Sequence, residues 1–148
     1  MNKKQEIQTA LTTAMKARDE DTKRTLRLVM SSVKLAEVEI GQELDDARLL
    51  SILQKEVKTR EDMIEEAKKA GRDDLLQAAQ RELVILGQFL PQQMNSDELN
   101  ALAKSAIEEA GATEMRDMGK IMSLLMPKLE GRASGQDASK AVRELLQK

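Results

Sequence analysis

Apolar residues recur at helical spacing along the whole chain, and most runs end at a glycine or a proline. Ile7, Leu11 and Met15 are spaced four apart, and Leu26, Val29, Val33 and Ala36 follow. Leu50, Leu53, Val57, Ile64 and Ala67 come next, then Leu76, Ala79, Leu83, Leu86 and Leu90. That spacing gathers side chains on one face of a 3.6-residue helix, whereas a strand needs strict alternation. Aromatic residues make up 1% of the chain and charged residues 34%. A composition so poor in strand-favouring aromatics and so rich in charge favours helices. The expected fold class is all-α.

The punctuation divides the pattern into a four-helix N-terminal unit over residues 1–91 and a three-helix C-terminal unit over 96–148. The first helix is expected over 2–17, where Asp19-Glu20-Asp21 breaks it and supplies an N-cap for the second. Gly41 ends the second helix near Ile40. A third starts at Asp45 or Asp46 and stops at Gly71, and a fourth runs from Asp73 to Phe89. Pro91-Gln-Gln-Met-Asn95 reads as a linker, because Pro91 pushes the residue before it out of helix and the polar run adds little to a core. Ser96 is expected to cap the fifth helix, which Gly111 ends, and Thr113 to cap the sixth. Met118, Ile121, Met122 and Leu125 form the sixth helix's apolar face; Pro127 should disturb that helix, and Gly131 suits a left-handed residue after its end. Ser134 sits where an N-cap belongs, ahead of Ala138, Ala141, Val142 and Leu145. The C-terminal unit lies near the lower size limit for independent folding. Of the nine methionines, four fall between 115 and 126; a methionine stripe at helical spacing is read as core.

The chain has no Cys and no His. That removes cysteine nucleophiles, thiolate and imidazole metal sites, and His-dependent acid–base and Ser-His-Asp catalysis. Di-iron bundles need Glu-x-x-His and are excluded with them. Asp45-Asp46 and Asp73-Asp74 stand at helix starts, where acids cap free N–H groups and complement the dipole. Glu65-Glu66 and Glu108-Glu109 read as solvated faces. No Gly-rich phosphate loop is present, and Ser31-Ser32 with Lys34 lies mid-helix without the glycine-rich setting of an amidase. No cofactor and no metal are expected. A charged N-terminus without an apolar h-region gives no signal peptide, and no run approaches a membrane span. The absence of Cys suits a reducing cytoplasm. Arg60 continues the Leu50, Leu53, Val57 progression, so it points toward the packing side; the simplest account pairs it with a glutamate such as Glu82 on a neighbouring helix, and the alternative is an anion or partner contact. Arg72 is expected to grip carbonyls at the end of the third helix.

Met118, Gly119, Lys120, Met122, Met126, Lys128, Gly131, Arg132 and Ala133 together resemble the tail domain of the GatB/YqeY family. That pattern runs roughly Met-Gly-Lys-x-Met, then Met-x-Lys, then Gly-Lys/Arg-Ala. The whole chain is similar to a YqeY protein, with further matches at Lys58-Thr-Arg60, Gly71-Arg72 through Leu75 and Phe89-Leu90-Pro91. One departure is Ser134-Gly135, where GatB tails often carry Asn-Pro; Ser still caps, though Gly is the weaker first helical residue. GatB is the tRNA-binding subunit of the amidotransferase that amidates Glu-tRNA(Gln) or Asp-tRNA(Asn). The resemblance implies a GatB-tail-like three-helix domain that contacts tRNA, a bacterial cytoplasmic setting, and association with amidotransferase subunits. It also implies the label of a carbon–nitrogen ligase with glutamine as amido-N-donor, although this chain has no evident nucleophile, ATP site or glutaminase.

The formal net charge is −2, so any RNA contact must come from a local patch. From Gly111 onward, seven Lys and Arg stand against five Asp and Glu. Lys120, Lys128 and Arg132 cluster around one helix end and turn, and Lys140 and Arg143 lie one turn apart on the last helix. If these faces converge beside the helix start at Ser134, they form a phosphate-binding patch for tRNA or structured RNA. With one Phe and no Trp or Tyr, base stacking is unavailable, so binding would follow shape and phosphate. The expected function is a non-catalytic tRNA- or RNA-associated accessory protein. The alternative is a helical protein–protein adaptor without RNA binding, docking through Met-rich helices. Oligomeric state is open.

Overall fold

The structure, a computed structural model, describes residues 2–147. The described residues fold as seven α-helices and one short 3-10 turn, with no strand among them. The chain divides between Leu90 and Pro91 into two compact units.

The first unit holds α1 (Lys3–Ala17), α2 (Glu20–Ile40), α3 (Asp46–Ala70) and α4 (Asp73–Gly87). Local chemistry sets each boundary. Asn2 and Gln5 form a reciprocal capping box at the start of α1, which satisfies two orphan amides. Asp19 and Asp45 cap α2 and α3 by accepting the Thr22 and Arg48 amides. Gly71 closes α3 at φ 66°, a left-handed conformation that costs glycine nothing. α4 ends at Gly87, two residues short of the expected Phe89. Tight bonds from Gln88, Phe89 and Leu90 to the third residue back follow: Pro91 disfavours helix at Leu90, so the chain tightens before it. Arg72 also departs from expectation. Its guanidinium pairs with Asp74 at 3.0 and 3.1 Å, because Asp74 in the next turn is a stronger acceptor than the carbonyls of α3.

Ile7, Leu26, Val29, Val33, Leu53 and Leu86 are fully buried in the core of this unit. Leu49, outside the stripe read from sequence, is buried, while Leu50 is only partly so. Arg60, 4% exposed, lies within this interior. It donates to Glu82 of α4 at 3.1 Å and pairs closely with Glu56 one turn back, the arrangement expected for a cation on a packing face. Ser32 of α2 completes the group by donating to Glu56 at 3.3 Å.

Glu37 joins α2 to its surroundings. It accepts the Leu44 amide at 3.0 Å and both its oxygens receive Lys4 at 3.1 Å. The Leu44 N–H, then Lys4, hold its carboxyl below the usual glutamate range. A depressed carboxylate adds stability above its unfolded pKa and loses it as pH falls through the folded value. Glu37→Gln should therefore lower the melting temperature at neutral pH, and the gap to the parent should close on acidification. A gap unchanged by acid would contradict this.

The second unit holds α5 (Ser96–Ala110), a 3-10 turn (Met115–Asp117), α6 (Met118–Leu129) and α7 (Gly135–Leu146). Asn95, not Ser96, caps α5 by accepting the Glu98 amide at 2.8 Å; either side chain has the chemistry, and the backbone turns into helix one residue earlier. Thr113 does not cap α6, because the 3-10 turn intervenes and α6 begins at Met118. α6 also runs through Pro127 to Leu129. A proline that late removes one backbone hydrogen bond without displacing the turns already made. Glu130 at φ 50° and Gly131 at φ 74° then reverse the chain, and Ser134 caps α7 by accepting the Asp137 amide at 3.0 Å. Ala103, Ala106 and Ala138, all fully buried, let the three helices approach closely around Ile121, Leu125 and Val142. Met118 and Met122 pack on this core, whereas Met115 and Met126 are exposed, so the methionine run is only partly core.

Candidate nucleic-acid interface

The residues read as a linker are tied to the turn between α6 and α7. The Met94 amide donates to the Arg132 carbonyl at 2.8 Å, and the Gln93 side chain donates to Gly131 at 3.2 Å. Arg132 returns the contact, donating Nε to the Gln92 carbonyl at 2.8 Å and a terminal nitrogen to Glu98 at 2.8 Å. Two hydrogen-bonding ends fix one planar fork, which a lysine cannot reproduce. Arg132 thus latches the strap 92–94 and α5 onto the turn. Because its side chain is one-third exposed, solvent screens the pair. Arg132→Ala is expected to lower the stability of this unit by about 1 kcal/mol, read from urea unfolding; an unchanged midpoint would remove the latch.

The five candidate cations fall into two sets. Lys128 is ion-paired with Glu109 at 2.7 Å, as Arg132 is with Glu98. Glu98 and Glu109 lie on one face of α5, about 16 Å apart along the axis, so Lys128 and Arg132 stand at its two ends. The other set is Lys120 on α6 with Lys140 and Arg143 on α7, all exposed. None of these three has an ion-pair partner among the described residues, and Arg143 donates only to the Ser139 hydroxyl at 3.2 Å. Lys140 borders a groove of about 310 Å³ with Asn95, Leu99, Asn100, Asp137 and Glu144. Lys128 and Arg132 are thus engaged by carboxylates of α5, whereas Lys120, Lys140 and Arg143 have no ion-pair partner among the described residues.

The start of α7, the expected anion site, is already supplied. Ser134 takes one free amide and Asp137 stands in the first turn, a carboxylate that complements the dipole where a phosphate would. The partners of Lys128 and Arg132 lie far off in sequence; only the common face of Glu98 and Glu109 on one helix hints at them. No group of three or more carboxylates among the described residues is placed to hold a metal ion, and no described helix is long and apolar enough to cross a membrane.

A model of the family described as Yqey-like protein matches residues 4–146. A Pyrenophora tritici-repentis protein named altered inheritance of mitochondria protein 41, mitochondrial, is 28% identical over 95% of this chain and 78% of its own length. An uncharacterised protein of Schizosaccharomyces pombe is 33% identical over 58% of this chain and 70% of its own length. A Lachancea thermotolerans protein with the same name as the first is 35% identical over 53% of this chain and 43% of its own length. These relatives are fungal, so they lend no support to a bacterial setting.

Proposed function

The chain belongs to the YqeY-like family, and on that footing we propose that it is a non-catalytic RNA-associated accessory protein. In this reading residues 1–91 and 96–148 are separate four-helix and three-helix domains, and the second binds tRNA phosphates as the similar GatB tail does. Lys120, Lys140 and Arg143 make the contacts; Lys128 and Arg132 hold the scaffold and take part only when their carboxylates yield. The observation that carries the reading is the set of three exposed cations with no ion-pair partner among the described residues, on a unit whose 118–133 segment resembles a tRNA-contacting tail. The single Phe, Phe89, is buried in the first unit, so recognition rests on phosphate and shape rather than stacked bases.

The ligase label attaches by association. The chain has no cysteine or histidine to act as nucleophile or base, and activation and ammonia supply fall to other amidotransferase subunits, with which it associates. The purified chain with glutamine and ATP is expected to leave Glu-tRNA(Gln) unchanged; amidation by the chain alone would contradict this. The proposed compartment is the cytoplasm, the mitochondrial names belonging to the fungal relatives.

A second reading, a protein adaptor, draws on exposed Met115 and Met126, since methionine suits adaptable interfaces. Salt separates the two. Three phosphate contacts give a slope of about −2 to −3 in log affinity against log salt. Titrating bulk tRNA across low to moderate salt should return that slope, and binding indifferent to salt would favour the adaptor.

A further inference from the structure

Two cations of the second unit are held by carboxylates from one helix. Lys128 meets Glu109 at 2.7 Å and Arg132 meets Glu98 at 2.8 Å, and both acids stand on one face of α5. Neither Glu98 nor Glu109 pairs with another cation among the described residues. The four side chains are 34% to 51% exposed, so water screens both pairs and another anion can displace them at little cost. The fold does not depend on these pairs, because Ala103, Ala106, Ile121 and Leu125 already join α5 to α6 in the apolar core. Arg132 is held ready for an exchange. Its Nε donates to the Gln92 carbonyl, which fixes the guanidinium while its terminal nitrogen changes partner.

We propose, resting on the reading of the second unit as a tRNA-phosphate surface, that Glu98 and Glu109 are internal competitors of RNA: they occupy Arg132 and Lys128 where backbone phosphates would dock, and so hold down the affinity of the surface. A carboxylate oxygen and a phosphate oxygen make the same charge-assisted bond to arginine or lysine. The two pairs lie about 16 Å apart along α5, beyond the screening length of about 8 Å at physiological salt. One small anion can therefore open only one of them. An RNA anchored at Lys120, Lys140 and Arg143 offers further phosphates at high effective concentration, and can open both. Each exchange frees a counterion from RNA, but the displaced carboxylate takes one up. The pairs thus add nothing to the salt dependence while the carboxylates are present.

Glu98→Gln/Glu109→Gln removes both competitors. Each glutamine oxygen still accepts from its old cation, so the urea midpoint should stay close to that of the parent. Bulk tRNA should bind about tenfold tighter at low salt. The slope of log affinity against log salt should steepen by about 2, or by about 1 in either single variant. Asp97→Asn/Glu108→Gln is the control. It removes the same charge from α5 at exposed carboxylates that have no ion-pair partner among the described residues, and its slope should match the parent's. A parent that binds tRNA with the affinity and slope of Glu98→Gln/Glu109→Gln would overturn the competition and leave the RNA surface standing. An equal gain and equal steepening in the control would overturn it too, by tracing the effect to net charge. No binding at low salt by the parent or by any variant would overturn the RNA surface and the competition together.

Discussion

Replacing Arg60 with methionine is expected to lower the stability of the first unit by about 3 to 5 kcal/mol. Arg60 is almost wholly buried, and its two partners, Glu56 and Glu82, are themselves largely covered, at 20% and 12% side-chain exposure. Methionine matches the stem of arginine but leaves two carboxylates facing one another across α3 and α4 without their cation. The loss comes from those stranded charges, not from lost attraction alone. Arg24 stands 3.8 Å from Glu82 and the Ser32 hydroxyl donates to Glu56, so some compensation remains and the low end of the range applies. Removing the stranded charges should recover much of the loss: Arg60→Met/Glu56→Leu/Glu82→Leu is expected to be far more stable than Arg60→Met, as buried ion groups generally tolerate apolar replacement. Urea unfolding measures both. A single substitution costing under about 1 kcal/mol would show that water reaches this site and screens the group.

Leu125→Ala is the second large effect, about 3 kcal/mol, and it should fall on the second unit alone. Leu125 is fully buried among Ala103, Ala106, Ile121, Ala138 and Val142. Alanines dominate that core and have no longer side chains to swing into a void, so the cavity stays open and its full cost is felt. A unit of this size has little stability to lose. The expected result is a chain in which residues from Pro91 on unfold at a lower urea concentration than residues up to Leu90, resolved by hydrogen exchange along the chain. A single transition shifted equally for both units would mean that they unfold together.

Most of the fold is legible in the residues, for a physical reason. Helix periodicity and end signals are local, and Asp19, Asp45, Gly41, Gly71, Gly111 and Ser134 act at helix ends as their chemistry dictates. The misplaced boundaries lie where two local signals compete. Asn95 and Ser96 are both good caps, Pro127 is tolerated in a last turn, and Phe89 packs into the core after its helix has ended. Arg60 was legible because a cation on an apolar stripe needs a carboxylate, and few neighbours offer one. The cations of the second unit were much less so. Charge counts and spacing place Lys120, Lys128, Arg132, Lys140 and Arg143 near one another, but whether a cation is free depends on partners far off in sequence. Glu109 for Lys128, and Glu98 with the Gln92 carbonyl for Arg132, are tertiary facts.

RNA binding by the second unit, through cations not already engaged, is a proposal. Its most direct test compares bulk tRNA affinity at low salt for the parent chain, Lys120→Glu/Lys140→Glu/Arg143→Glu, and Arg132→Ala, all kept where they remain folded. Binding by the parent, lost in the triple variant and largely retained in Arg132→Ala, is the predicted result. No binding by the parent at low salt, or binding that the triple variant keeps, would contradict the account.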